Sequence, residues 1–291
     1  MNRREFAQRL ALAASFLPLV GATEAAFAQP PPAKQPTPTP DAHESGMTGF
    51  YQRLADNETE LAAINPKVRR EIVMLAYPGM FPLDLIGPHS VLRGLPNTRV
   101  QIAWKTKTPM TFAGFSITPS VTFDECPDRV DVLFVPGGGP GTFAALNDDA
   151  VLQFLQSRGS TAKYVTSVCT GSLVLAAAGL LNGKQATTHW VAFPALEKLG
   201  AVPVHQRIVE DGNRITAAGV SSGIDFGLQL ASRLTTPTFA RAMQLNIEYD
   251  PQPPFDAGSP EKAGPRIAGA LSDMYAPMMA GGMRTIANRR G

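Results

Sequence analysis

Val165-Thr166-Ser167-Val168-Cys169-Thr170-Gly171-Ser172 carries an apolar strand straight into a helix through one residue. So tight a turn lifts the Cys169 side chain out of the sheet, as the serine of a nucleophile elbow is lifted. The small neighbours Gly171 and Ser172 let the helix begin close to the strand. Unpaired N–H groups and partial positive charge at that helix start are expected to favour thiolate and lower the Cys169 pKa. The plainer reading is a small buried hydrophobe at a strand end.

Outward from the elbow the chain alternates. Upstream lie the apolar runs Ile72–Tyr77, Val100–Trp104 and Val130–Val135, each reading as a strand, the first and last of them buried. Between and after them, helical patterns fall at 83–92 (with Gly87-Pro88 as a kink), 148–158, 172–181, 191–199, 222–234 and from Pro237 to about Tyr249. Phe115–Phe123 reads as a hairpin excursion and Ala186–His189 as a short strand. Ile208-Val209 and Ile215–Ala217 form a second hairpin around Asp211-Gly212-Asn213. The pattern predicts an α/β fold: a doubly wound, mostly parallel sheet with helices on both faces, flavodoxin-like.

The ends of the chain differ from its middle. Arg3-Arg4, the apolar run Leu10–Val20 and Ala26-Phe27-Ala28 make residues 1–28 a cleaved signal peptide of twin-arginine type, so the mature protein is expected in the periplasm. Residues 29–66 read as a Pro-rich linker followed by a short helix at 47–64 that Pro66 ends. Residues 67–249 form the α/β domain, and 250–291, rich in Pro and Gly, a C-terminal arm. Cleavage removes three arginines and two glutamates from a chain of net charge +2, leaving +1. No basic run suggests a nucleic-acid partner, and no membrane contact is expected after signal removal.

Ligands of such sheets bind outside the carboxyl ends of the strands. Asp84 follows the first strand, Gly137-Gly138-Gly139-Pro140-Gly141 the central one, and Cys169 the next. Asp84 reads either as a first-turn helix acid or as a carboxyl beside the cysteine whose raised pKa lets it donate a proton. The glycines lack the spacing and the Lys-Ser/Thr of a phosphate loop. They read as backbone approaching a substrate, Gly138 and Gly139 in particular, or as a plain tight turn. His189 reaches the same rim, as a substrate contact or a structural histidine. Cys126 sits among acids in Asp124-Glu125-Cys126-Pro127-Asp128, which should raise its pKa, and at the other end of the sheet, so no bridge to Cys169 is expected. Two cysteines and scattered histidines give no metal-ligand spacing, and neither metal nor cofactor is expected.

Six segments, in order, resemble the ThiJ/PfpI superfamily, which shares the class-I glutamine amidotransferase-like fold. They are Tyr77-Pro78-Gly79 with Leu83–Pro88, Val135–Gly138, Val168–Gly171, Ala186–Trp190, Gly219–Phe226 and Ile247–Asp256. The last resembles the tail of the isonitrile hydratase subgroup. This resemblance implies a cysteine-dependent hydratase converting isonitriles to N-substituted formamides, with Cys169 as nucleophile and Asp84 and Thr170 as its partners. A homodimer acting on a small molecule is the expected assembly. Thr170 stands where the superfamily's intracellular proteases place His, which counts against peptidase activity. Alternatives are a glyoxalase-like enzyme, which usually has Glu where this chain has Asp84, and a non-catalytic ligand-binding or stress module. Regulators that append a helix-turn-helix domain fit less well, since many of the 56 residues after Thr235 are Pro or Gly.

Overall fold

Val132-Leu133-Phe134-Val135 is buried at every position, which a strand achieves only with neighbours on both edges and helices on both faces. The computed structural model describes residues 40–112 and 114–290; residues 1–28, expected as a signal peptide, and residues 29–39 of the expected linker lie outside the described residues. The strands of the main sheet are β1 (Arg70–Leu75), β2 (Thr98–Trp104), β5 (Val121–Thr122), β6 (Val132–Val135), β7 (Tyr164–Val168), β10 (Ile208–Asp211) and β11 (Arg214–Ala217). They run in the order β10-β11-β7-β6-β1-β2-β5, parallel except for the β10–β11 hairpin at one edge. Gly212, with φ of 63°, turns that hairpin in a conformation disfavoured for residues with a Cβ.

The register decides where chemistry can occur. Met74 is level with Ile102 and Phe134, Val135 with Ser167, and Val168 with Ala217. The carboxyl ends of β1, β6, β7 and β11 therefore open onto one rim. From β1 the chain steps outward to β2, then returns to β1's other side with β6, so the switch point of the topology lies between β1 and β6.

Helices cover both faces. α3 (Pro82–Leu92) runs through Pro88 and packs on α8 (Ser222–Leu234). Gly223 and Gly227 form the groove: a Cβ on either would come to 3.0 Å from the Pro88 ring or 3.2 Å from Val91. Phe134 and Phe226 stack across the sheet–helix boundary at 5.6 Å.

Several local expectations change. The single helix at 47–64 is two, α1 (Pro40–Leu54) and α2 (Glu58–Ile64), because Asn57 caps a new start by accepting from the Glu60 N–H at 2.9 Å. The excursion expected at 115–123 begins earlier: β3 (Met110–Phe112) pairs with β4 (Phe115–Ile117), while Val121–Thr122 joins the edge of the main sheet. The strand expected at 186–189 is only β8 (Gln185–Ala186), paired with β9 (Val202–Pro203) outside the main sheet. The Gly-Pro-Gly stretch, read as a loop, opens α4 (Gly139–Ala145), since proline is pre-set for a first helical turn. α5 spans Asp149–Gly159, and α6 (Gly171–Ala177) stops short of Gly179, whose φ is 77°. α7 (Phe193–Lys198) and α9 (Pro237–Asn246) follow. Residues 251–258 are exposed, and beyond them come the short α10 (Pro260–Ala263) and the 26-residue α11 (Pro265–Arg290).

Candidate active site

Among the described residues Cys169 is one of three other than glycine with positive φ, at 57°. A side chain there costs on the order of 1–3 kcal/mol and persists only where its surroundings hold it. They do so from both sides. The Cys169 N–H donates to the carbonyls of Ala217 (3.0 Å) and Ala218 (2.6 Å) at the end of β11. The Cys169 carbonyl accepts from the Ser172 hydroxyl at 3.2 Å and the Thr188 hydroxyl at 3.1 Å. Gly171 makes the elbow possible, because a Cβ there would lie 2.2 Å from the Val135 carbonyl oxygen.

Gly137 is where three strand ends meet. A Cβ on it would lie 2.5 Å from the Thr170 nitrogen and 2.8 Å from both Asp84 Oδ2 and Cys169 Cβ. Its absence lets acid and cysteine close on one point. Asp84, although in the first turn of α3, is 0% exposed. Its Oδ2 accepts from the Gly137 N–H at 3.0 Å rather than from its own helix, and its buried Oδ1 has no hydrogen-bond partner among the described residues.

Burial pushes the Asp84 carboxyl up to about 7, against the pull of hydrogen bonds from the Cys169 thiol and the Gly137 N–H. The thiol does not behave as the elbow alone predicted. Burial first, and then the adjacent Asp84 charge, push Cys169 well above the ordinary thiol range, while the Thr170 N–H pulls the other way. Desolvation and a like charge thus outweigh the donors at the start of a seven-residue helix. The resting pair favours a thiol beside a carboxyl that titrates near neutrality.

Thr170 closes a clasp. Its Oγ1 lies 3.0 Å from the Gly138 N–H, which it accepts, and 3.2 Å from the Gly138 carbonyl. It also lies 2.7 Å from the Thr142 hydroxyl, which in turn is 3.3 Å from the Tyr77 hydroxyl. Tyr77 is 1% exposed and donates to the Pro136 carbonyl at 2.8 Å. The Gly138 N–H is therefore engaged by Thr170 rather than free for a substrate. Gly138 is jammed besides: a Cβ there would lie 2.5 Å from the Gly79 carbonyl and Met80 Cα. Tyr77, Thr142 and Thr188 were not singled out from sequence, although hydroxyls in otherwise apolar or glycine-rich segments carry that signal.

His189 follows Thr188, half-buried, with its ring against Gly219 and edge-on to Tyr275 at 5.8 Å. Burial lowers its pKa, which favours the neutral imidazole. Gly139 faces Met278: a Cβ on it would lie 3.3 Å from the Met278 sulfur. The structure thus brings Cys169, Asp84, Thr170 and Gly138 to one point, with Gly139 and His189 on its flanks. Cys126 and Cys169 are both unbridged. Among the described residues no cluster of three or more His, Cys, Asp or Glu side chains could hold a metal, and no helix is long and apolar enough to cross a membrane.

Residues 70–233, which hold the parallel sheet, the cysteine elbow and the buried acid, match the DJ-1/PfpI family. The chain is 46% identical over 210 residues to isonitrile hydratase of Pseudomonas putida, covering 72% of this chain and 91% of that enzyme. It is 31% identical over 127 residues to protein DJ-1alpha of Drosophila melanogaster, covering 43% of this chain and 58% of that one. A crystal structure of a ThiJ/PfpI family protein from Pseudomonas syringae aligns with a TM-score of 0.73 at 45% identity, over 76% of this chain and 93% of that one. The chain belongs to the DJ-1/PfpI family.

Proposed function

We propose that this protein is a cysteine-dependent hydratase that converts isonitriles, R–N≡C, to N-substituted formamides, R–NH–CHO. The observation that carries this reading is the buried Cys169–Asp84 pair, in which the carboxyl titrates at about 7. The reaction must add a nucleophile and a proton to the same terminal carbon. Asp84 carboxylate takes the thiol proton as sulfur attacks and passes it to that carbon, giving a thioimidate, R–N=CH–S–Cys169. Asp84, again a carboxylate, then activates water, which adds across the C=N bond. The tetrahedral adduct collapses to the formamide and expels the Cys169 sulfur, which recovers its proton. Thr170 acts as a positioning residue, fixing Gly138 and so the wall beside the elbow.

The 46% identity to isonitrile hydratase over most of both chains supports the substrate class. The decisive experiment is turnover by the purified protein of isonitriles beside 2-oxoaldehydes. Formamide production supports the reading, and lactate-type products without formamide would replace it with a glyoxalase-like activity.

We also propose export, on the strength of Arg3-Arg4 and Ala26-Phe27-Ala28. N-terminal sequencing from the native host should read from Gln29, and retained Met1 on a cytoplasmic pool would overturn this. A homodimer would cover Phe81, Leu83 and Ile86, all more than 40% exposed near the start of α3, and sedimentation reads its mass directly.

A further inference from the structure

The C-terminal helix was expected only as part of an arm. α11 carries an inward stripe, Tyr275, Met278, Met279, Gly282 and Ile286, spaced by three or four residues and therefore on one face. Ile286 is fully buried, and Met278, Met279 and Met283 pack on the core. Gly282 sits so close to Phe143 of α4 that a Cβ would lie 2.1 Å from the ring. The upper part of the stripe meets the candidate site on two sides. Tyr275 stands edge-on to His189, next to Thr188, whose hydroxyl holds the Cys169 carbonyl. Met278 faces Gly139, in the glycine run whose Gly137 and Gly138 meet Cys169 and Thr170. One helical turn thus touches both flanks of the elbow, and Cys169 is only 6% exposed.

We propose that α11 is the roof of the Cys169 site and that Tyr275 and Met278 determine which substrates reach the thiol. The proposal rests on the hydratase reading only for the identity of the substrate, not for the roof. The chemistry of the roof is apolar and polarisable: a phenol ring and thioethers. A cavity of about 320 Å³ adjoins it, lined by Trp190, Val191, Pro194, Tyr275 and Met279 among others. Such a surface fits an uncharged, apolar N-substituent: its lining, which also includes Ser272 and Ala276, holds no ionised side chain to pair with a carboxylate or ammonium group. The preferred class is therefore isonitriles bearing compact hydrocarbon or aryl groups, with charged isonitriles discriminated against.

Thiol access reads the roof independently of turnover. Cys169 alkylation is followed in a Cys126→Ser background with iodoacetamide and with a bulky aryl maleimide. Two variants are compared: Tyr275→Ala, which removes the ring over His189, and Gly282→Val, which forces the helix off Phe143. The ratio of bulky to small reagent rates should rise about tenfold in both, and turnover should shift toward larger N-substituents, the scale on which pocket size discriminates. Melting curves identify a variant that has lost its fold, and the other then decides. An unchanged ratio in a folded variant overturns the roof, even if isonitriles are turned over. A raised ratio with no formamide from any isonitrile keeps the roof and removes the hydratase reading.

Discussion

Cys169 and Cys126 are nearly equally hidden, at 6% and 5% exposure, and burial raises both thiol pKa values, yet they lie in opposite surroundings. Cys169 leaves the carboxyl end of β7 with positive φ and shares its space with Asp84. Cys126 sits before the amino end of β6, where Arg158 donates to its carbonyl at 3.2 Å. Burial pushes its thiol up to about 11, offset by the Arg158 charge and reinforced by Glu125. Thiol acidity alone therefore does not mark the reactive cysteine. What separates the two is a hydrogen-bonded neighbour able to accept the thiol proton. The Cys169 thiol bonds to Asp84, whose carboxyl is pushed up to about 7. Beside Cys126 the Arg158 guanidinium accepts nothing, and the Glu125 carboxylate is held by Lys107 and the Thr122 N–H.

The sharpest test of that contrast is removal of each sulfur. Cys169→Ala should fold and lose turnover by at least about 10⁴-fold, as expected when a covalent nucleophile is deleted. Retained formamide production would end the covalent scheme.

Next in size is Asp84→Asn, whose amide oxygen can still accept from the Gly137 N–H. Turnover should fall roughly 10²–10⁴-fold. In the wild type, kcat/KM should rise with pH through about 7 as the carboxylate forms, and the mutant should lose that limb. Stability should move the opposite way. With its pKa raised on folding, Asp84 binds more proton in the folded than in the unfolded chain between about 4 and 7, so its contribution falls as pH rises across that window. Asp84→Asn should therefore stabilise the protein at pH 8, on the order of 1–3 kcal/mol, and change little at pH 4. Denaturant melts at the two pH values measure this directly, and a mutant less stable at pH 8 would return Asp84 to a purely structural role.

Thr170→Val leaves the Gly138 N–H without its acceptor and removes one partner of the Thr142 hydroxyl. It should cost about 1–3 kcal/mol in stability and roughly tenfold in kcat, with Thr170→Ser restoring most of both. Cys126→Ala should be smallest, within about twofold in turnover because nothing catalytic touches it. A larger loss would erase the distinction between the two thiols.

Much of the scaffold was legible because strand burial and turn chemistry are local. Ser222–Leu234 appears at its expected bounds, the strand read as running into Cys169 ends at Val168, and the hairpin around Gly212 follows its turn signal. The elbow and the meeting of Asp84 with Cys169 follow from strand order. Features set by distant packing were not legible. Residues 250–291 read as an arm rich in Pro and Gly, but Gly282 is small because Phe143 lies against it, and the helix passes through Pro277 and Gly282. The sign of the Cys169 shift escaped for a similar reason: helix starts are visible in sequence, whereas desolvation by surrounding layers is not.

Gly137 sets a different kind of limit, on heredity. A nucleophile can be exchanged for another nucleophile and an acid for its longer homologue, but glycine has no neighbour in the genetic code that lacks a Cβ. Every codon change that alters Gly137 places an atom where the Thr170 nitrogen, Asp84 Oδ2 and Cys169 Cβ already converge. Lineages of this protein can revise the roof and the substrate one residue at a time, while the point on which acid and sulfur meet admits no intermediate step.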